Sequence, residues 1–512
     1  MINIQEIKFG KIDAHNELQE LGYNFYLESF LKYDKYKINS FLNGENYFIY
    51  GDKGTGKTAL LKYFECTLSE VSENLIIPIR FKSQFDTEDK KIMNQSAANV
   101  HEEVIEDVNI AKTTSYILIW QVYIINQIIK NIDTGEYHVF QSSVDYDTIK
   151  KLLSSIYEGQ TGKVVPKLTK GYLNISASSL KGLSAELKLD IEFDEKTNKI
   201  NFSKTAKAIS NLYKKLIFDT TPTYILVDEL ELSVKTKKEY MRDIQLIRDL
   251  VIAVDQLNNI SKEKSFNIKF LASIRTDVIN NVLSYGYEIN KSIEDFGVRV
   301  EWFQKGGSYK DSPLLKLVEN KIHASENLLG LAITEDVWAE YFDDEINNTE
   351  TRKYILSYTW QRPRDIIRMM KFVQDQCSST STKFTQEMFD KAMQQYSERA
   401  WGEISEELAL AYTDKNDLIA IKKFFTGISV PFTFKELNTR VEELSVIYEY
   451  IDEFFKKYKM VEFLENMFKW GVIGNSGSRM IFKFLGDNDL SLSDPMIIHR
   501  PLRNFFAVKS NK

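Results

Sequence analysis

The sequence predicts an α/β fold with a parallel sheet, followed by a helical lid and a C-terminal winged-helix-like module. Between residues 47 and 81, an apolar strand, a glycine-rich loop, a helix and a second strand follow one another. Two more apolar strands, residues 224–227 and 268–274, flank a helical pattern. This alternation is typical of a parallel sheet covered by helices. From about residue 312 the pattern becomes helical throughout.

The composition is that of a globular protein. The chain has 512 residues, 43% of them hydrophobic, which predicts about two to four domains. The net charge of −7 gives no general attraction to nucleic acid, so DNA binding stays open but is not favoured. Cys66 and Cys377 are far apart and have no metal-ligand spacing. Without a signal sequence or a run of about 18 apolar residues, we expect a cytoplasmic protein with no membrane contact.

The patterns divide the chain into four regions. We expect a helical lead-in at 1–45, an α/β core at 46–305, a helical lid at 306–400 and the winged-helix-like module at 401–512. In the core, an apolar helix at 115–132 precedes a polar linker. Alternating polar and apolar residues between 172 and 202 then predict a β-hairpin, which we assign to an insertion at about 135–203.

The last region is predicted to end in two strands. Its pattern is helical up to Lys469 and then changes to short apolar runs at 471–473 and 479–485, joined by the turn residues 475–478. Helices followed by a two-stranded hairpin are the order expected of a winged helix.

Residues 51–58 match the phosphate-binding pattern G-x-x-x-x-G-K-[ST] at every specified position. Glycines allow backbone N–H groups to approach phosphate oxygens, and the helix that follows directs its positive dipole end at the same anion. We expect Lys57 to contact the β- and γ-phosphates of ATP and Thr58 to bind Mg²⁺. The predicted nucleotide-binding residues are Gly51, Asp52, Lys53, Gly54, Thr55, Gly56, Lys57, Thr58 and Ala59. The alternative is a glycine-rich turn without a ligand.

Two acidic residues follow the apolar strand at 224–227. Asp228 is expected to hold Mg²⁺ through its water shell, and Glu229 is placed to polarise the attacking water as the catalytic base. Adjacent carboxylates at the end of a buried strand are costly unless a positive charge awaits them. The alternatives are a strand that reaches the surface at Asp228, and Glu231 as a weaker candidate base.

Two arginines are candidate sensors of the γ-phosphate. Arg275 ends the strand at 268–274, with Ser273 as the second choice, and a surface arginine without a role is the alternative. Arg364 follows Pro363, which suits the first turn of a helix, and would reach the phosphate from the lid. Its alternative role is a salt bridge that caps the helix.

These residues resemble the AAA+/STAND side of the P-loop NTPases. More closely, the chain resembles a family of bacterial P-loop ATPases of about this length. The matching pieces are Phe9-Gly10, Asp13-Ala14, the run 51–58, the run 274–277, the run 362–365, the run 471–474 with Asn475, and the run 499–503. The resemblance implies ATP binding and hydrolysis and genes near phage-defence or mobile-element loci. The absence of a Gly-Arg-Glu box before the loop departs from related patterns, and the absence of a guanine-binding motif favours ATP.

The C-terminal module offers an alternative function. Lys456, Lys457 and Lys459 alternate with aromatic residues and could face a phosphate backbone, although carboxylates surround them. His499 is expected to pack at the surface of the module and not to bind a metal.

The sequence therefore predicts an ATP-hydrolysing conformational switch, in a bacterial defence or regulatory complex with a separate effector chain. The alternatives are a DNA-binding ATPase that uses the winged helix and a nucleotide-binding scaffold with little hydrolysis. A homo-oligomer would allow an arginine finger in trans from Arg242, Arg248 or Arg299.

Overall fold

The protein is a mixed α/β structure. Our computed structural model describes residues 2–81, 116–157, 172–174, 193–194, 199–230, 237–284, 289–409 and 411–510. The chain divides into two compact units. Unit 1 comprises Met1–Tyr33, Gly54–Gly56 and Glu301–Lys512, and unit 2 comprises Asp34–Lys53 and Lys57–Val300.

Unit 2 is built on the predicted parallel sheet, which the structure confirms. Its five strands are β1 (Phe48–Gly51), β2 (Leu75–Arg80), β6 (Thr223–Leu230), β7 (Ile268–Arg275) and β8 (Gly297–Arg299). They lie in the order β2-β6-β7-β1-β8, and every neighbouring pair is parallel. The central strands are almost fully buried, because aliphatic runs suit a sheet that is covered on both faces.

Strand β6 is longer than expected. It continues past residue 227 to Leu230, with a register shift against β7 between Val227 and Leu230. Glu229 lies inside this irregularity at φ 61°, a left-handed conformation that is uncommon for residues other than glycine. The sequence pattern stopped at residue 227 because the two carboxylates interrupt the apolar run.

The helices of unit 2 within the described residues cover the sheet and the region after β2. They are α2 (Ile38–Leu42), α3 (Lys57–Ser69), α4 (Ile117–Thr134), α5 (Val144–Tyr157), α6 (Phe202–Tyr213), α7 (Lys237–Glu263), α8 (Thr276–Ser284) and α9 (Asn290–Phe296). The predicted polar linker after α4 is wrong, because α5 occupies much of it. Ile149, Leu152, Leu153 and Ile156 recur at helical spacing and are fully buried.

Part of the expected hairpin insertion is described. Strands β4 (Phe193–Asp194) and β5 (Lys199–Asn201) pair antiparallel, as predicted, and β3 (Tyr172–Asn174) pairs with the other side of β5. The alternating run 185–191 and the turn 195–197 lie outside the described residues.

Unit 1 is mainly helical. Its helices are α1 (Ala14–Ser29), α10 (Pro313–Leu328), α11 (Val337–Tyr341), α12 (Thr351–Ser357), α13 (Pro363–Gln374), α14 (Gln386–Leu408), α15 (Lys415–Phe425), α16 (Phe434–Ile447), α17 (Glu449–Lys457) and α18 (Met460–Lys469). Short strands β9 (Glu345–Ile346) and β10 (Thr349–Glu350) interrupt the pattern that was expected to be helical throughout. None of the helices in the described ranges is long and apolar enough to cross a membrane.

The expected C-terminal hairpin is confirmed only as one antiparallel bridge, between Asn475 and Ile481, and its second strand at 479–485 is wrong. Strand β12 (Ile473–Asn475) pairs antiparallel with β13 (Met496–Ile498), and β11 (Ser429–Val430) pairs parallel with β14 (Lys509–Ser510). Residues 479–487 fold back on themselves, because the Asp487 carboxylate accepts hydrogen bonds from the Phe482 N–H and from Arg479. A 3-10 helix at Lys483–Leu485 replaces the second predicted strand.

Trp360 joins the helical region to the C-terminal module inside unit 1. Its indole Nε1 donates to the Gly471 carbonyl at 3.0 Å, and its ring makes an edge contact with His499 at 4.8 Å between centroids. Gly471 lies at φ 67°, and an added Cβ would stand 2.8 Å from the Trp360 ring. A glycine is therefore required at position 471 for both conformation and space.

We predict that Gly471→Ala destabilises unit 1 more than Gly486→Ala. Both glycines have positive φ, but nothing lies within 4 Å of a Cβ at Gly486. Gly486→Ala should cost about 1–2 kcal/mol of unfolding free energy from backbone strain, and Gly471→Ala about 2–5 kcal/mol because overpacking adds to the strain. Urea unfolding followed by tryptophan fluorescence measures this, since five of the six tryptophans belong to unit 1. Equal losses for the two variants would contradict the packing argument.

Candidate functional site

Three strands of unit 2 bring polar residues to one edge of the sheet. Because the strands are parallel, their carboxyl ends lie at the same edge. Gly51, the last residue of β1, is paired in register with Arg275, the last residue of β7. Arg80, the last residue of β2, is paired with Asp228 of β6. The predicted residues Gly51, Asp228 and Arg275 therefore share this edge.

The strand connections change direction at this edge. After β1 the chain crosses through α3 to β2 at one side of the sheet, whereas after β7 it crosses through α8 and α9 to β8 at the other side. The two connections leave the neighbouring strands β1 and β7 in opposite directions. In open α/β sheets such a switch point is where ligands bind.

The loop between β1 and α3 is compact. Gly54 and Gly56 adopt φ values of 82° and 94°, which favour glycine. The side chain of Lys57 returns into the loop, and its Nζ donates hydrogen bonds to the carbonyl oxygens of Gly51 at 3.0 Å and Asp52 at 2.8 Å. These oxygens carry only partial charges, so they do not neutralise the ammonium at the start of α3.

Burial sets the charge state of Lys57. Its side chain is 9% exposed, and desolvation lowers the pKa of the ammonium to about 8. The nearby Arg275 lowers this pKa further, while Asp228, Asp52 and Asp277 act against the shift. The free energy lost in burying this cation would be recovered by an anion bound beside it.

Asp228 and Glu229 differ in their surroundings. The Ser273 hydroxyl donates a hydrogen bond to the Asp228 carboxylate across β6 and β7. Glu229 is half-buried and sits in the irregular part of β6 at φ 61°. A strained conformation of this kind persists only when the surrounding fold holds it, and such conformations concentrate at functional sites. The expected alternative base, Glu231, lies outside the described residues.

Arg275 is held by a neighbour that the sequence argument did not use. Its Nε and Nη2 donate to the two carboxylate oxygens of Asp277, each at 2.9 Å. This bidentate pair orients the guanidinium in the first turn of α8. The pairing leaves Arg275 close enough to Lys57 to lower the lysine pKa.

The remaining predicted loop residues surround this centre. Thr58 follows Lys57 in the first turn of α3 and is half-buried, as are Lys53 and Ala59, while Asp52 is exposed. The described residues contain no cluster of three His, Cys, Asp or Glu side chains that could hold a metal. Mg²⁺ commonly uses one or two protein oxygens together with water and phosphate, so Thr58 and Asp228 offer suitable donor types.

The middle of the loop, Gly54–Gly56, belongs to unit 1. In that unit the Trp302 indole Nε1 donates to the Thr55 carbonyl at 2.8 Å. The Arg364 backbone N–H donates to the Gly54 carbonyl at 3.4 Å, and a Cβ on Gly54 would lie 3.3 Å from the Arg364 Cβ. Arg364 thus contacts the loop through its backbone and the base of its side chain.

The guanidinium of Arg364 is anchored by Glu403. Arg364 Nη1 donates to Glu403 Oε1 at 3.0 Å, and Arg368 Nη2 donates to Oε2 at 2.5 Å. Desolvation raises the pKa of Glu403, but Arg362, Arg368 and Arg364 outweigh it and lower that pKa to about 2. Arg364 Nε is buried and has no hydrogen-bond partner among the described residues. Pro363 occupies the start of α13, as predicted, but the salt bridge joins α13 to α14 instead of capping a helix.

Two of the three candidate arginine fingers are wrong. Arg242 and Arg248 are each 9% exposed and pair with Asp243 and Asp249, so neither can reach a second chain. Arg299 is exposed on the edge strand β8. Their burial follows from the packing of α7, which a sequence of alternating charges does not reveal.

Sequence reasoning also missed the residues that position the arginines. Asp277, Trp302 and Glu403 each contact a predicted residue or its loop. Asp277 follows Arg275 by two residues, which is a local signal. Glu403 is 39 residues from Arg364 and Trp302 is 247 residues from Thr55, so no local pattern could connect them.

The geometry defines the protein as a mixed α/β protein with a polar centre at the carboxyl edge of its parallel sheet. Residues 312–405 match the family model of the FunZ-associated C-terminal helical domain. The match spans α10 to α14 and includes Arg364 and Glu403. No curated protein matches the chain. The expected membership of a P-loop ATPase family over nearly the full length therefore stays a prediction.

We predict that Glu403→Gln destabilises unit 1, because it leaves two half-buried arginines without the negative charge of their buried partner. Removing one partner of a buried ion pair typically costs about 3–5 kcal/mol. Glu398→Gln on the same helix is the control: Glu398 is exposed and contacts Gln394, so the change should be within about 0.5 kcal/mol. Urea unfolding of the two variants checks the difference.

The ion pairs of Glu403 should also make the unfolding free energy depend on pH. The Glu403 pKa is depressed in the folded protein, so its contribution to stability is complete above about pH 4.5 and is lost as the pH falls toward about 2. Wild type should lose more unfolding free energy than Glu403→Gln across this range. Parallel acid profiles for the two proteins would contradict the assigned role.

Proposed function

We propose that this protein binds ATP with Mg²⁺ at residues 51–58 and hydrolyses it, acting as a conformational switch of the P-loop NTPase type. The supporting observation is the buried Lys57 ammonium, which is hydrogen-bonded to loop carbonyls at the start of α3. A triphosphate would replace these weak acceptors with anionic oxygens. The backbone N–H groups at the α3 N-terminus would bind the same phosphates.

The hydrolytic roles are assigned by position at the sheet edge. Asp228 and Thr58 would hold Mg²⁺, which neutralises developing charge on the phosphate oxygens when bound. Glu229 would accept a hydrogen bond from the attacking water and so act as general base. The hydroxyl of Ser273 keeps the Asp228 carboxylate oriented. Arg275, held by Asp277, would contribute positive charge beside the γ-phosphate.

The switch function is proposed for Arg364. Its contacts with Gly54 join the middle of the phosphate-binding loop to α13 within unit 1. A γ-phosphate near this loop would give the unpaired Nε of Arg364 a strong acceptor, and its loss on hydrolysis would remove that acceptor. Nucleotide state would thereby bias the conformation of the helical region, which would act as a lid.

The wider role is an inference from the sequence resemblance. We propose that the helical lid and the winged-helix-like C-terminal module transmit the nucleotide state to a partner or effector chain in a bacterial antiviral defence or related complex. The alternative, a DNA-binding ATPase, gains no support from the predicted lysines. Lys456 pairs with Asp452 at 2.5 Å and Lys457 with Asp417 at 3.1 Å, so both are neutralised locally.

We predict that Lys57→Ala and Glu229→Gln each lower ATP turnover by about 100-fold or more, since each removes a group proposed to act on the transition state. Phosphate release with Mg²⁺ present measures turnover. Glu294→Gln, at an exposed glutamate of unit 2, should leave turnover unchanged. Equal phosphate release from wild type and both site variants would end the claim that this is an ATPase.

Glu229→Gln should still bind the nucleotide, because Glu229 is proposed to act on water and not on the phosphates. Lys57→Ala should lose affinity as well as turnover. Binding of a fluorescent non-hydrolysable ATP analogue separates the two effects. A glutamine variant that loses binding as strongly as the alanine variant would contradict the role given to Glu229.

The nucleotide affinity should fall above about pH 8, because burial lowers the pKa of Lys57 in the free protein to about 8. A bound triphosphate raises that pKa, so binding above pH 8 must include uptake of a proton. Affinity should be steady from about pH 7 to 8 and then weaken by up to about tenfold per pH unit. Titrations with the analogue from pH 7 to 9.5 test this.

Lys57→Arg is the matched control, since a guanidinium stays charged throughout this range. Its affinity should be flat between pH 8 and 9.5, even if it is weaker than that of wild type. The same decline in wild type and Lys57→Arg would assign the effect to another group.

A further inference from the structure

Arg500 and Arg503 lie near each other in unit 1 and have no acidic partner in the described part of the chain. Arg500 begins and Arg503 caps a 3-10 helix, Arg500–Leu502, that follows β13 after His499. Among the described residues, no carboxylate oxygen lies within 4 Å of either guanidinium, whereas other arginines of unit 1 have such partners. The run 499–503 was conspicuous in the sequence, and the proposed ATP site makes no use of it.

Each of the two guanidiniums is oriented by one hydrogen bond, and most of its N–H donors have no acceptor among the described residues. Arg500 Nη1 donates to the Ser357 hydroxyl at 3.2 Å, and Arg503 Nε donates to the Ile498 carbonyl at 2.9 Å. Both side chains are half-buried. A guanidinium has five N–H donors, so most donors of both residues have no protein acceptor in the described part of the chain. Each side chain is therefore oriented by one bond while its remaining donors stay available.

The charges around Arg500 and Arg503 also favour the binding of an anion. Burial and the charge of Arg500 lower the pKa of Arg503, and the only opposing contribution comes from the Tyr358 hydroxyl. Beside them, His499 is fully enclosed and its pKa is lowered to about 3, mainly by desolvation and also by Arg503, Arg362 and Arg500. Positive potential is thus concentrated at the junction of α12 and the segment after β13.

Other cations of the same module have a structural role, because each is paired with a carboxylate. Arg479 forms two hydrogen bonds with Asp487, at 3.1 and 2.6 Å, and Lys457 pairs with Asp417. These side chains are neutralised within the fold. Two adjacent arginines that lack this compensation repel each other, and this repulsion disappears when an external anion binds between them.

We propose that Arg500 and Arg503 form a second anion site that binds a phosphate group. Phosphate fits because its several oxygens accept paired N–H groups from two guanidiniums at once, which one carboxylate does less completely. The Ser357 hydroxyl lies at the same place and orients Arg500. The group is supplied either by a free phosphate or nucleotide, or by the backbone of a nucleic acid. This site lies in unit 1 and does not depend on the proposed ATP site.

The first experiment measures phosphate binding with the loop site disabled. Four full-length proteins are compared: Lys57→Ala alone and combined with Arg500→Gln, Arg503→Gln or Arg479→Gln. Inorganic phosphate is titrated against chloride at equal ionic strength, and the thermal unfolding midpoint is followed. Lys57→Ala alone and its combination with Arg479→Gln should be stabilised and give a measurable Kd. Arg500→Gln and Arg503→Gln should weaken that Kd by about tenfold, as expected for a lost charge-assisted hydrogen bond.

Equal midpoint shifts in all four proteins would overturn the proposal, because phosphate also stabilises proteins by exclusion from their surface. Arg503→Gln removes the bond to the Ile498 carbonyl and could impair folding. Arg500→Gln, which among the described residues removes only the hydrogen bond to the Ser357 hydroxyl, is then the decisive variant. Circular dichroism of each variant confirms that it is folded.

The second experiment identifies the source of the phosphate. Anisotropy of a labelled 20-base-pair duplex is measured with the same four proteins between 50 and 200 mM salt. If the site binds a nucleic acid backbone, Arg500→Gln weakens duplex binding and reduces the salt slope by about one. If duplex binding is unchanged while phosphate binding is lost, the ligand is a free phosphate or nucleotide. Failure of the ATP turnover experiment would leave both results unaffected.

Discussion

In unit 2, the main constraint on the centre at the carboxyl edge of the sheet is a buried ammonium that is bonded to no carboxylate of the described residues. The Lys57 side chain is enclosed, yet its hydrogen bonds end on the backbone carbonyls of Gly51 and Asp52. Burying a cation in this way is costly unless an anion joins it. The ammonium lies at the start of α3, and an anion bound beside it would recover this cost.

The carboxylates and arginines near this cation are ordered by partners from other strands and helices. Ser273 orients Asp228, and Asp277 orients Arg275. In unit 1, Glu403 plays the same part for Arg364. Asp228, Arg275 and Arg364 are thus each oriented by a second residue, as precise electrostatic chemistry requires.

The distinction between neutralised and uncompensated charges also separates structural from functional candidates. Arg242 and Arg248 are buried with adjacent aspartates, and they serve the packing of α7. Arg500 and Arg503 have the opposite character, because they are adjacent, oriented and without a carboxylate among the described residues. The composition does not distinguish these arginines, because a net charge does not show which charged side chains are in contact.

The sequence by itself determined the features that depend on neighbours along the chain. The strand, glycine loop and helix at residues 47–69, the parallel sheet and the helix start at Pro363 follow from apolar periodicity, glycine spacing and the fixed φ of proline. Two predictions from the sequence were wrong. The polar segment after α4 contains the helix α5, and β12 pairs with the distant strand β13.

Tertiary structure alone decided the pairing of charges and the strain at Glu229. The partner of Arg364 is 39 residues away, and the irregularity in β6 arises from its register against β7. Asp487 turns residues 479–487 away from the predicted strand through contacts that exist only when the chain is folded. Such contacts depend on three-dimensional proximity and burial, which change both the strength of an interaction and the pKa of the groups involved, and neither is encoded in local spacing.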